Sequence, residues 1–351
     1  MRRLFGLLTV ISAMFALSGA AAAVNDAVLM AKRPAKLLSD YGLFADGAAQ
    51  VPGERVVAYD LISPLFTDYA HKFRFIYVPE GKTAAYDDTE VLDFPVGSAL
   101  VKTFAYPADF RKPDDNIRLL ETRLLIHQAE GWVTWAYVWN EDQSDAVLKV
   151  AGATIPVSWT DESGAPRSIQ YVVPNKNQCK GCHVFDKAVS PIGPKARNMN
   201  RDNVYAGNTQ NQLAHLAAIG FLTGAPSPDQ APRVPAPDDA AASLDARARA
   251  YLDVNCAHCH RMEGPASTSG LFLIYGETRM NQVGLKKRPV AAGRGSGNLA
   301  YDIDPGHADR SIIPFRMESV DPGVMMPELG RTVAHAEGVK LISDWINSMK
   351  E

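Results

Sequence analysis

The four cysteines of the chain fall in two pentapeptides of one pattern, Cys179-Lys180-Gly181-Cys182-His183 and Cys256-Ala257-His258-Cys259-His260. Two thiols separated by two residues fit one helical turn and reach the same edge of a planar macrocycle. A histidine directly after the second thiol can turn a ring nitrogen towards a metal at the macrocycle's centre. This is the chemistry of covalent haem attachment, in which each thiol adds to a haem vinyl group. The spacing therefore predicts two haem c groups, attached at Cys179, Cys182, Cys256 and Cys259, with His183 and His260 as proximal iron ligands. Structural disulfides do not require the trailing histidines, and a zinc site leaves the flanking sequence unexplained. A thioredoxin-like motif needs a βαβ context that is absent. His258, between two thiols, is expected to face away from its own iron, at the surface.

A six-coordinate haem needs a second axial ligand, and methionine in that position raises the potential. For the second haem the candidate is Met326 in Gly323-Val324-Met325-Met326-Pro327-Glu328-Leu329-Gly330, with Met325 next, and His307 and His335 as the non-methionine alternatives. For the first haem the candidates are Met199 and His215, then His71 or His127, with an open iron as the remaining possibility. The carbonyls of Pro194 and Pro265 are candidate acceptors for the proximal imidazole N–H groups.

The elements that must position these residues follow from pattern. His71 to Val78 alternates as a strand, and Arg118 to Gln128 with Trp132 to Asn140 reads as a hairpin turning at Ala129-Glu130-Gly131. Trp135 and Trp139 share a face of it and are expected to pack in the core. Further strands are expected over 146–157 and 167–173. Residues 24–174 thus form a β-rich domain, a sandwich or small barrel. The first haem segment spans 175–223 and includes a helix over 211–222 that ends at Gly220. A Pro/Ala-rich linker over 224–242 is expected to be stiff and extended, with little core potential. From Ser243, a helix cap, an apolar stripe of Leu244, Ala248, Tyr251 and Leu252 leads into the second motif. Val339, Ile342, Trp345 and Ile346 form another at the far end. Residues 243–351 therefore have the layout of a class I cytochrome c-like domain, its first and last helices crossing over the haem edge. The fold class expected is α+β and multidomain: an N-terminal all-β sandwich-like domain followed by two α-helical cytochrome c-type haem modules.

Residues 1–23 read as a secretory signal peptide, with Arg2 and Arg3 before an apolar stretch and Ala21-Ala22-Ala23 before Val24. The alternative is an uncleaved N-terminal anchor. No later run approaches a membrane span in length, so the expected mature protein is periplasmic and not integral to a membrane. A net charge of −3 gives no basic footprint for nucleic acid.

Over nearly all its mature length the chain resembles a bacterial family of uncharacterised dihaem c-type cytochromes with an N-terminal β-domain. The matching stretches are Tyr59-Asp60-Leu61 with Ser63-Pro64-Leu65-Phe66-Thr67-Asp68-Tyr69-Ala70, then Phe94-Pro95-Val96-Gly97, Glu121-Thr122-Arg123-Leu124-Leu125 and Pro174-Asn175-Lys176-Asn177-Gln178-Cys179. Further on they are Asn211-Gln212-Leu213, Arg247-Ala248-Arg249-Ala250-Tyr251-Leu252, Ser311-Ile312-Ile313 with Arg316-Met317, and Met326-Pro327-Glu328-Leu329-Gly330. The resemblance implies two c-haems, export and electron transfer between redox protein partners, with no defined substrate. In similar sequences the Met199 position often reads Leu. The alternative function is a dihaem oxidoreductase, peroxidase-like or a small-molecule oxidase, in which the first iron keeps an open position. A third reading makes the β-domain a binding module for a partner protein or glycan.

Overall fold

A computed structural model describes residues 23–290 and 292–350. The expected signal peptide, apart from Ala23, lies outside the described residues. The N-terminal region is β-rich, as its alternating patterns predict. Its centre is a six-stranded antiparallel sheet of Val56–Ala58 (β1), His71–Tyr77 (β2), Ala99–Pro107 (β3), Ile117–Gln128 (β4), Gly131–Trp139 (β5) and Ala146–Leu148 (β6), ordered along the sheet as along the chain.

The two faces of the sheet are covered differently. On one, Phe75, Tyr77, Val101, Leu124, Ile126 and Tyr137 pack against Leu29, Leu38, Tyr41 and Leu43 of the preceding segment, with Trp139 buried and Trp135 half-buried beside them. The other face meets a hairpin of Ala153–Thr160 (β7) and Pro166–Val173 (β8), which packs Val157, Trp159, Tyr171 and Val173 against Phe104, Tyr106 and Leu120. The second β layer is thus only a two-stranded patch. The rest of that face packs Ile76, Leu100 and Leu125 with Leu61, Leu92 and Phe94 and with Met199, Leu213 and Leu216 of the segment after the first motif. The single strand expected over 146–157 is two: the chain breaks between β6 and β7, where Gly152 takes φ +78°. A Cβ there would press on the backbone of Val173 to Asn175, so glycine alone fits the turn.

After the hairpin come a short helix, Lys176–Cys182 (α1), a single helical turn, Ala196–Met199, and a further helix, Gln212–Ala218 (α2), with Gly220 just beyond it at φ +75°. Asn211 caps α2 by accepting from the Leu213 and Ala214 amides. The 224–242 connection is strapped to the molecule: Ala231 and Val234 are buried, and the Val234 amide donates to the Arg197 carbonyl. Its prolines make it extended, yet it contributes to the core.

The last third is helical and irregular. Leu244–Asn255 (α3), capped by the Ser243 hydroxyl, Ile312–Glu318 (α4) and Ala336–Asn347 (α5) surround a core of Ala248, Tyr251, Leu252, Leu341, Ile342, Trp345 and Ile346. Helices α3 and α5 approach closely at Gly338, where a Cβ would overlap the Tyr251 hydroxyl. Trp345 Nε1 donates to the Asp245 carboxylate across the same pair. Among the described residues no helix is long and apolar enough to cross a membrane.

Residues 59–70 form the seam between the sheet and both motif-bearing regions. Asn198 exchanges hydrogen bonds with the backbone of Ser63, and the Phe66 amide donates to Asn255 Oδ1 at 2.8 Å. Asp68, buried, accepts from the Thr332 and Val333 amides at 2.6 and 3.0 Å.

Candidate functional site

The first motif sits on α1, which begins with a reciprocal capping box between Asn175 and Gln178. His183 is the C-cap. A tight turn through Asp186 and Lys187, both at positive φ, pairs Val184–Phe185 with Ala188–Val189 and returns Ser190 to His183. The Ser190 amide donates to the His183 carbonyl at 2.7 Å, and the Ser190 carbonyl lies 2.9 Å from His183 Nδ1. A carbonyl only accepts, so Nδ1 carries the proton and Nε2 keeps its lone pair. Burial pushes the His183 pKa down to about 3, which keeps the ring neutral.

The second motif follows α3, with Cys256 as its C-cap. His260 Nδ1 lies 3.3 Å from the Ser269 hydroxyl, which itself donates to the Ala266 carbonyl at 2.7 Å. That spends the hydroxyl proton, so Ser269 Oγ accepts from Nδ1 and again Nε2 is left with its lone pair. Burial lowers the His260 pKa to about 4. The imidazole acceptors are therefore a serine carbonyl and a serine hydroxyl. The Pro194 carbonyl expected in this role accepts from the Leu92 amide instead.

The motifs meet. Cys182 of the first motif and His258 of the second line one cavity. Around this junction the Asp186 amide donates to the Glu263 carbonyl, the Arg261 guanidinium lies 4.6 Å from the Phe185 ring centroid, and Arg261 pairs with Glu90 at 2.6 Å. A buried bidentate pair, Arg197 with Asp253, ties the first-motif segment to α3.

A cavity of about 310 Å³ opens beside the first motif. His183 and Cys182 stand on one side, with Leu61, Leu65 and Phe66 of the seam, Val254 of α3 and Pro327 and Leu329 of the later loop elsewhere in its wall. The sheet contributes Lys72, Arg74, Leu100, Lys102, Arg123 and Leu125. Arg74, Lys102 and Arg123 are direct cross-strand neighbours on β2, β3 and β4. Like charges so placed repel. Arg74 is paired with Asp60 at 2.7 Å and Arg123 with Glu121 at 2.5 Å, whereas Lys72 and Lys102 make no ion pair among the described residues. Burial lowers the Lys102 pKa to about 7 and that of Lys72 well below the usual lysine range.

A smaller cleft beside the second motif is lined by Cys256, Tyr251, Met317, Met326, Arg331 and His335 among others. The Met326 backbone is held on both sides: its amide donates to the Arg316 carbonyl and its carbonyl accepts from Arg331, both at 2.9 Å. Met325 is buried elsewhere and does not line the cleft. His335 lines it with Nδ1 2.9 Å from the Tyr251 hydroxyl and its ring stacked on Phe66 at 4.1 Å between centroids. His307 lines neither cavity.

The residues expected for the first iron are not at the first cavity. Met199 has 0% exposure and packs in a core with Tyr59, Leu61, Leu213 and Leu216, because its one-turn helix presses it under α2. His215 is stacked on Tyr205 at 3.6 Å, with Nδ1 3.2 Å from Gln210 Oε1, on the outer side of α2. His127 is stacked on Trp132 and bonded to the Phe94 carbonyl, and His71 leans on Phe73. His258, expected at the surface, is half-buried and lines the first cavity. The side-chain alternation of β2, β3 and β4 carries the basic row, but its convergence depends on register. Neither a protein-family model nor a curated protein nor a solved structure matches the chain.

Proposed function

We propose that the chain is an exported, periplasmic dihaem c-type cytochrome that passes single electrons between redox protein partners. The observation that carries this reading is the meeting of the two Cys-x-x-Cys-His peptides, with Cys182, His183 and His258 in one cavity wall and the Asp186 amide on the Glu263 carbonyl just beyond them. Haems attached at these adjoining peptides would lie close enough to exchange single electrons. Bound haem c supplies a one-electron iron couple whose potential follows axial ligation, burial and hydrogen bonding.

The chain's own residues fit that cofactor. Ser190 and Ser269 fix the Nδ1 protons of His183 and His260, leaving each Nε2 for iron. Lys72 and Lys102, half-buried without carboxylate partners, would suit the two propionate carboxylates of a haem. A cation partly withdrawn from water without a counter-charge is costly, and an anion beside it lowers the cost. Met326 is the distal ligand assigned to the second iron, since it lines the cleft with Cys256 where Met325 does not. In this reading the region from Ser243 is the class I cytochrome c-like module, with α3 and α5 crossing at Gly338. The first motif belongs to a composite module walled by the sheet.

The test is mass spectrometry and redox titration of the exported product. The polypeptide is expected to carry the added mass of two haems and to titrate in two one-electron steps. Cys179→Ala with Cys182→Ala is expected to remove one haem, and Met326→Ala to abolish the far-red methionine–iron band. A polypeptide without iron porphyrin mass refutes the proposal.

A further inference from the structure

The first cavity contains an imidazole that the preceding reading leaves without a role. Methionine is absent from its wall among the described residues, and its two histidines are His183 and His258. His258 belongs to the second attachment peptide, yet it is not in the wall of that motif's own cleft. It reaches across to line the first cavity with Cys182 and His183. Its Nδ1 is buried and has no hydrogen-bond partner. A buried polar nitrogen left unpaired costs about 1–3 kcal/mol. An imidazole whose buried Nδ1 has no partner, in a cavity that already holds a proximal histidine, has the donor chemistry of a metal ligand.

We propose that His258 is the second axial ligand of the first haem iron, supplied from within the peptide that attaches the second haem. The inference rests on the two-haem reading above. It makes the first iron a six-coordinate bis-histidine centre with no open position, and the second a histidine–methionine centre of higher potential. It also links the centres through the chain, because His258 adjoins Cys259, the second haem's attachment residue.

The experiment compares haem-loaded wild type with His258→Ala and His258→Met, each first checked by mass for two haems. Wild type is expected to be low-spin at both irons and to bind no carbon monoxide when reduced. His258→Ala is expected to convert one of the two haems to high spin, to bind carbon monoxide at half the haems, and to return to low spin when imidazole is added. If His258→Ala fails to mature, His258→Met decides the matter: one potential is expected to rise and a second far-red methionine band to appear. A high-spin, carbon monoxide-binding haem in wild type overturns the assignment. So does a substitution at His258 that leaves both spectra and both potentials unchanged. Wild type lacking two haem masses fails the underlying reading instead, so the two failures are distinguishable.

Discussion

Asp253→Ala tests whether the first-motif segment and the second-motif helix form one structural unit. Asp253 and Arg197 are 5% and 8% exposed, and the guanidinium reaches the carboxylate through Nε at 3.1 Å and through Nη2 at 2.9 and 2.8 Å. Asp253 Oδ1 also accepts from the Tyr275 amide at 3.1 Å. Removing the carboxylate strands a buried cation, a change that costs about 3–5 kcal/mol. The orphaned amide adds roughly 1 kcal/mol more. A loss of about 4 kcal/mol corresponds to nearly a thousandfold in the unfolding equilibrium. Urea unfolding followed by tryptophan fluorescence and by far-ultraviolet circular dichroism reads it as a fall in midpoint seen by both probes. Arg197→Met combined with Asp253→Leu is expected to recover most of the loss, because a well-packed apolar pair replaces the ions. Two results refute the reasoning: a loss under about 1 kcal/mol for Asp253→Ala, or a double variant no better than the single one.

Asp68→Ala removes the acceptor of two backbone amides at the base of the Met326 loop, so it is expected to weaken the far-red methionine–iron band and to destabilise the loaded protein by about 2–4 kcal/mol; absorbance during thermal unfolding checks both. Gly338→Ala improves intrinsic helix propensity yet is expected to cost about 1–3 kcal/mol through overpacking against Tyr251, measured by denaturant unfolding. Arg279 holds the Glu277 carboxyl down to about 2, below its usual range. The depressed value means that this pairing stabilises the fold above the unfolded carboxyl pKa of about 4.3 and is lost as pH falls towards 2. The Arg279 side chain is 58% exposed, so Glu277→Gln is expected to flatten the acid limb of the stability curve by no more than about 1 kcal/mol.

Local pattern carried part of the fold. The hairpin of β4 and β5 was legible because alternation and Gly131 act over neighbouring residues, and the Ser243 cap and Gly220 terminator worked at the same short range. Strand β3 escaped because it is central and buried on both faces, so its near-continuous apolar run carries no period-two signal. The 224–242 strap escaped for another reason: proline content sets the stiffness of a segment and says nothing about what it lies against.

Two thiols and a histidine within five residues form a local pattern, so the Cys-x-x-Cys-His spacing alone singled out Cys179, Cys182, Cys256, Cys259, His183 and His260 as a set. The tertiary structure decided everything that depends on distant segments meeting. It buried Met199 in an apolar core and turned His258 from one motif towards the other. Strand register aligned Arg74, Lys102 and Arg123, and the 59–70 seam brought the two motifs together. Those relations arise from pairing and packing between residues far apart along the chain, and no local pattern encodes them.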